Sequence, residues 1–164
     1  MDRNKSVDNT KRNTKMTLLE DTRNKIDKHE NVKRYCEKHG IEIIRQKLDV
    51  GDYMLPGGKI AIDTKSGILE CSMNLMNRSD SSRFWREVRR AHDQGIKLVI
   101  LVESGRAVKT INDVVLWKSK YSGVSGRHLI DEMIRCEMAY GVVWRFCDRR
   151  STGRKIVEIL TGKD

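Results

Sequence analysis

The apolar positions of this chain fall into short runs between polar turns, and their period changes along the sequence. Met16-Thr17-Leu18-Leu19 is the first such run and predicts a strand that exits through Glu20-Asp21-Thr22-Arg23. Residues 30–39 (ENVKRYCEKH) predict a helix with Gly40 as its C-terminal cap. Ile41 to Leu48 alternates enough for a second strand. Gly51-Asp52-Tyr53-Met54-Leu55 and Lys59-Ile60-Ala61-Ile62-Asp63 flank Pro56-Gly57-Gly58, the signature of a β-hairpin with a short glycine-containing loop. In residues 81–94 (SSRFWREVRRAHDQ), Phe84, Val88 and Ala91 recur at helical spacing and form an apolar stripe. Ser81 or Ser82 can cap that helix, and Gly95 ends it. Lys97-Leu98-Val99-Ile100-Leu101-Val102 is a continuous apolar run, the pattern of a strand buried on both faces. Helices at 111–117 and 127–139, a strand at 142–147 and a helix at 152–160 complete the reading. Strands alternating with helices predict an α/β or α+β architecture in which helices cover a mixed sheet.

The first 15 residues break this pattern. They are almost devoid of apolar side chains and carry Arg3, Lys5, Lys11, Arg12 and Lys15 against Asp2 and Asp8. They read as a disordered basic arm, either solvated or in contact with phosphates. Residues 16–164 then form one domain, in keeping with a chain of 164 residues. No apolar run approaches the roughly 18–20 residues of a membrane span, so no membrane association is expected. No signal-peptide core precedes the first strand, and a cytoplasmic location is expected.

Charge narrows the partners. Thirty-three Lys and Arg stand against 23 Asp and Glu, a formal net charge of +10. Such a balance favours a polyanionic partner, nucleic acid first, although it says nothing about fold. Arg83, Arg86, Arg89 and Arg90 share one helix, and Arg78 precedes it. Arg145, Arg149, Arg150, Arg154 and Lys155 form a second cluster against Asp148 alone. Either cluster could track a phosphate backbone or be a solvated face. Aromatic residues are only 5% of the chain, which favours backbone and shape recognition over base stacking. Trp117 and Trp144 are expected in the core, and Trp85 partly exposed.

Other chemistries find little support. Cys36, Cys71, Cys136 and Cys147 have no metal-binding spacing and read as buried, reduced thiols. His29, His39, His92 and His128 are scattered and read as structural or surface residues. No strand-to-helix glycine loop of the nucleotide-binding kinds is present.

The hairpin is where a reactive constellation emerges. Its turn places residue 52 opposite 62 or 63, so Asp52 and Asp63 become neighbours on adjacent strands. Asp63 and Lys65, two apart on one strand, point to the same face. Two carboxylates beside a lysine can hold a hard divalent cation and position a water; the competing reading is a polar hairpin end with an exposed ion pair. Arg83 and Glu87 sit four apart on the amphipathic helix and form either a surface pair or a support for that site.

Taken in order, Asp21-Thr22-Arg23, Gly51-Asp52-Tyr53, Ile62-Asp63-Thr64-Lys65 and Arg83-Phe84 with Glu87 resemble the XPF-type nuclease domain of the PD-(D/E)XK superfamily. The chain looks most like compact stand-alone members of phages and prophages, and the likeness covers residues 17–160. It implies a restriction-endonuclease-like core, a central mixed β-sheet flanked by helices. It further implies a DNA endonuclease dependent on Mg²⁺ or Mn²⁺, acting on branched or flap-like DNA. By the same resemblance Asp52, Asp63 and Asp21 are metal ligands and catalytic carboxylates. Lys65 serves the attacking water. Arg23 contacts phosphate or holds the carboxylates, and Glu87 supports the site. Arg83, Arg86, Arg90, Arg149 and Arg150 are the expected nucleic-acid contacts.

The family pattern is not complete. Asn24 stands where the family often has Glu, Thr64 where it has Arg, and Leu69 where it has Asp, with Glu70 one position on. These departures leave open a second metal and the substrate preference. They also admit a non-catalytic nucleic-acid-binding or inhibitor protein on the same fold, or an RNA nuclease. Full-size relatives add a tandem helix-hairpin-helix domain that this sequence lacks. Structure specificity is therefore expected from the arm, a homodimer or a protein partner.

Overall fold

A computed structural model describes residues 15–164, so all but the last residue of the basic arm lies outside the described residues. Six strands form one mixed sheet in the order β2-β1-β3-β4-β5-β6. They are β1 (Thr17–Asp21), β2 (Glu42–Gln46), β3 (Tyr53–Met54), β4 (Ile60–Lys65), β5 (Lys97–Glu103) and β6 (Val143–Cys147). β1 runs parallel to β2, and the β3 strand lies antiparallel between β1 and β4. β4, β5 and β6 are mutually parallel. Parallel neighbours need long crossovers, and helices supply them. These are α1 (Glu30–Lys38), α2 (Ile68–Met76), α3 (Arg83–Asp93) and α4 (Gly126–Tyr140), with α5 (Thr152–Leu160) following β6.

The apolar run of β5 sorts its side chains by parity. Leu98, Ile100 and Val102 join a core with residues of α2, α3 and α4, including Leu75, Phe84 and Met133. Val99 and Leu101 face the other way, against Val32 and Cys36 of α1 and Ile156 of α5. Each of these burials contributes about 1.5–3 kcal/mol relative to exposure. β4 follows the same rule, with Ala61 in the first core and Ile62 in the second. α1 and α5 pack closely because Gly153 has no side chain: a Cβ there would lie 2.7 Å from Tyr35 Cβ.

The pattern-based elements are present, with three differences. The segment 68–76, given no element from sequence, is α2; its buried Ile68, Cys71, Ser72 and Leu75 recur at helical spacing. Residues 111–116 form a 3-10 turn in place of an α-helix, opened by a capping box between Thr110 and Asp113. Trp85 is buried, against the expectation of partial exposure, because Arg78 covers its ring at 4.5 Å. The four cysteines are buried, unbonded thiols as expected. No helix among the described residues is long and apolar enough to cross a membrane.

Candidate active site

Register brings the two aspartates together. Tyr53 pairs with Ile62, so Asp52 is next to Asp63 one step further along the antiparallel ladder. The Asp52 N–H donates to the Ile62 carbonyl at 2.6 Å, and its own carbonyl accepts the Asp21 N–H at 2.8 Å. Gly51 makes this approach feasible. Its φ is +74°, and a Cβ would sit 2.8 Å from the Ile62 oxygen. On the α2/α3 face of β4, Lys65 Nζ lies 2.8 Å from Asp63 Oδ2. The same ammonium stands 5.6 Å from the Phe84 ring centroid. Asp52, Asp63 and Lys65 thus line one cleft of about 510 Å³, with Glu70 and Glu87 on its walls.

Electrostatics in the cleft are strained by like charge. Burial pushes the Asp63 carboxyl up to about 7; Lys65 opposes this, while the Asp52 and Glu87 carboxylates add to it. Burial also works against the Lys65 ammonium, but Asp63 outweighs it and holds the amine above its ordinary range. Asp63 is buried, and its Oδ2 is held by the Lys65 ammonium 2.8 Å away. A buried carboxylate beside a second carboxylate is a hard-oxygen donor set that fits Mg²⁺ or Mn²⁺. Among the described residues no three acidic, His or Cys side chains converge to enclose a metal. An ion held by Asp52 and Asp63 would therefore keep water in its other positions, the habit of Mg²⁺.

Asp21 also lines this cleft, and its carboxylate is held in a clamp. Its Oδ2 pairs with Arg23 Nε at 2.5 Å, and its Oδ1 accepts the Leu48 N–H at 3.2 Å. Arg23 completes the clamp by donating to the Leu48 carbonyl at 2.7 Å. Together they tie the exit of β1 to the loop that delivers Gly51 and Asp52. Glu87 acts on the same loop: its Oε1 accepts the Gly51 N–H at 2.7 Å.

The arginines separate into groups. Arg23 and Arg83 line the cleft. They also join Arg86 and Arg90 around an adjoining recess of about 180 Å³, so four guanidinium groups flank the carboxylates on one side. Arg149 stands elsewhere on the rim, with Lys28, His29, Thr64 and Lys65 around a recess of about 130 Å³. Arg150 is exposed and lines none of these recesses. Within the second basic cluster, Arg145 and Lys155 both pair with Asp164, and Arg154 pairs with Glu158.

Sequence reasoning missed Lys28, 3.6 Å from Asp52 Oδ2, and the full role of Glu70. Glu70 accepts from both the Ser66 N–H and the Ser66 hydroxyl at 2.8 Å, and its other oxygen is 3.9 Å from Lys65. The helical period of 68–75 was the signal that would have placed Glu70 in the first turn of α2, beside Lys65.

Two solved structures share the fold of this chain. The chain is similar to XPF from Aeropyrum pernix, at 20% identity and a TM-score of 0.64, over 88% of this chain and 63% of that one. It is also similar to the structure of XPF from Aeropyrum pernix in complex with DNA, at 20% identity and a TM-score of 0.63, over 90% of this chain and 64% of that one. The chain thus spans under two thirds of the length of these structures, and the likeness is one of fold. No curated protein matches it. The sequence model of the ERCC4 domain matches residues 21–158, nearly all of the described residues. The chain belongs to the ERCC4 domain family, the XPF-type nuclease domains with a restriction-endonuclease-like fold.

Proposed function

We propose that the protein is a divalent-metal-dependent DNA endonuclease. The observation that carries this reading is the buried Asp63–Lys65 pair beside Asp52 in a cleft flanked by arginines. Asp52 and Asp63 would hold Mg²⁺ or Mn²⁺. The ion would supply positive charge to the phosphate and lower the pKa of a bound water. Asp63 beside it raises the Lys65 amine, and the ammonium would orient the attacking water and offset charge gathering on the phosphate oxygens. Arg83 and Arg86, exposed on α3, and Arg23 beside them grip the strand next to the scissile phosphate. Asp21 and Glu87 keep the Gly51–Asp52 loop in register.

Family membership supports a nuclease, and the Aeropyrum pernix complex supports DNA as the polymer. Branched or flapped DNA is the substrate class proposed on the same ground, with a homodimer or a partner chain contributing to its selection. The test is a cleavage panel of flap, junction, duplex and single-stranded DNA, with RNA beside them, in Mg²⁺, Mn²⁺ or EDTA. Metal-dependent cutting of branched DNA that is lost in Asp63→Asn is the expected result. Binding without cutting in every condition would favour the non-catalytic reading, and cutting confined to RNA would replace the polymer.

A further inference from the structure

The face of β4 opposite Asp63 carries a second piece of site machinery. Thr64 follows Asp63 and so points to the α1/α5 side of the sheet, where the core includes Tyr53 and Ile62. Its hydroxyl lies 2.5 Å from Asp52 Oδ2, which also accepts the Thr64 N–H at 2.9 Å. Behind the hydroxyl, His29 Nε2 stands at 3.3 Å, and His29 Nδ1 is 2.6 Å from the Tyr53 hydroxyl. His29, Tyr53 and Thr64 are all buried.

The direction of this chain of hydrogen bonds follows from its end. A carboxylate oxygen only accepts, so Thr64 must donate to Asp52 and therefore accepts from His29. His29 then carries its proton on Nε2 and accepts the Tyr53 hydroxyl on Nδ1. Burial, with Lys28 and Arg149 adding to it, lowers His29 to about 4. The ring is therefore neutral near pH 7 and has a single N–H, which the Thr64 hydroxyl accepts.

We infer that His29 is a positioning residue for the metal centre, acting through Thr64 to hold Asp52 Oδ2 on the protein side and turn Oδ1 to the cleft. Two donors on Oδ2 fix the carboxylate torsion, and the imidazole keeps the threonine hydroxyl from rotating away. Ligand-orienting partners of this kind typically govern metal affinity by about 10–100-fold. A fixed Asp52 also spares the site the cost of ordering a ligand when metal arrives. The inference rests on the metal-dependent reading above.

The test is titration of the nucleic-acid-free protein with Mn²⁺, read by the electron paramagnetic resonance signal of the free ion, with thermal unfolding alongside. His29→Phe and Thr64→Val are each expected to weaken Mn²⁺ binding by about 10–100-fold. The double variant should be no weaker than the worse single one, because both break the same chain. Thr64→Ser, which keeps the hydroxyl, and His29→Gln, which keeps a donor towards it, should bind close to the parent. If His29→Phe does not fold, Thr64→Val and Thr64→Ser decide alone. Parent-like Mn²⁺ affinity in folded His29→Phe or Thr64→Val overturns the role of His29 while leaving the metal-dependent reading intact. A parent that neither binds Mn²⁺ nor cuts DNA overturns both.

Discussion

Glu87 Oε1 accepts the backbone N–H of Gly51 at 2.7 Å, linking the middle of α3 to the residue before Asp52. A side chain on one layer thereby sets a backbone position on the neighbouring strand entry. Glu87→Gln keeps an acceptor oxygen at this point and is expected to cut at near-parental rate. Glu87→Ala leaves the buried N–H unpaired, at a cost of about 1–3 kcal/mol, and lowers both Tm and kcat. Thermal unfolding and single-turnover cleavage of the two variants separate these outcomes; equal loss in both would assign Glu87 to the chemistry through its charge.

Gly51 offers a second measurement. At φ +74°, with a Cβ 2.8 Å from the Ile62 carbonyl, Gly51→Ala meets both backbone strain and a clash. The backbone term alone is roughly 1–2 kcal/mol. At about 2–4 °C per kcal/mol for a domain of this size, Tm falls by several degrees. Cleavage is expected to fall further than stability, because relief of the clash pulls Asp52 away from Asp63. A variant that keeps parental activity at reduced Tm would show that the Asp52 position tolerates this shift.

Lys65 and the aspartates should differ in what they take away. Asp52→Asn and Asp63→Asn are expected to lower cleavage by at least about 100-fold, beyond the range typical of outer partners. Lys65→Met should lower kcat by about 10²–10³ with little change in DNA affinity, since its charge counts as the phosphate becomes more negative. Single-turnover rates at saturating enzyme, with affinity measured in Ca²⁺, check this; a Lys65→Met defect confined to affinity would contradict it.

The α3 arginines should register in salt dependence. Removing one phosphate-binding side chain reduces the slope of log affinity against log salt by about 0.9 on duplex or about 0.7 on single strands. Arg86→Ala is expected to show a reduction of this size. Arg90 donates to the Asp49 carbonyl at 2.7 Å, so Arg90→Ala should also lower Tm. Arg150, which lines none of these recesses, should show a smaller change in slope when replaced by Ala.

Asp63 predicts how the metal-free protein responds to pH. Its folded-state pKa, pushed up to about 7 from 3.8, means that the folded protein binds a proton which the unfolded chain has released over that window. Stability from this group is therefore full below about pH 4 and is lost as pH rises through about 7. Asp63→Asn does not titrate, so its Tm should gain on the parent as pH rises from 4 to 8. Mg²⁺ should reduce the difference at high pH by compensating the parent's charge. A Tm difference independent of pH would show that Asp63 is ionised throughout.

The periodic parts of this fold were legible in the sequence for a simple reason: β5 and α3 bury apolar side chains at fixed intervals. α2 was overlooked because its polar Glu70 and Asn74 hid a sound helical spacing of Ile68, Cys71, Ser72 and Leu75. At the site, Asp52, Asp63 and Lys65 were readable from hairpin register and strand parity. His29 was not, since it lies 35 residues from Thr64 and no local pattern encodes that meeting. Arg23 as a holder of the carboxylates was readable two residues from Asp21, but Leu48 was not, because it meets Asp21 only when the loop closes.

Adjacent residues 63 and 64 look into different layers, one towards α2 and α3, the other towards α1. The centre is consequently assembled from two halves of the molecule that consolidate against opposite sides of one strand. A nascent or partly unfolded chain with only one layer in place holds Asp63 and Lys65 without an oriented Asp52, or the reverse. On the proposed function, the power to cut requires both layers to be in place.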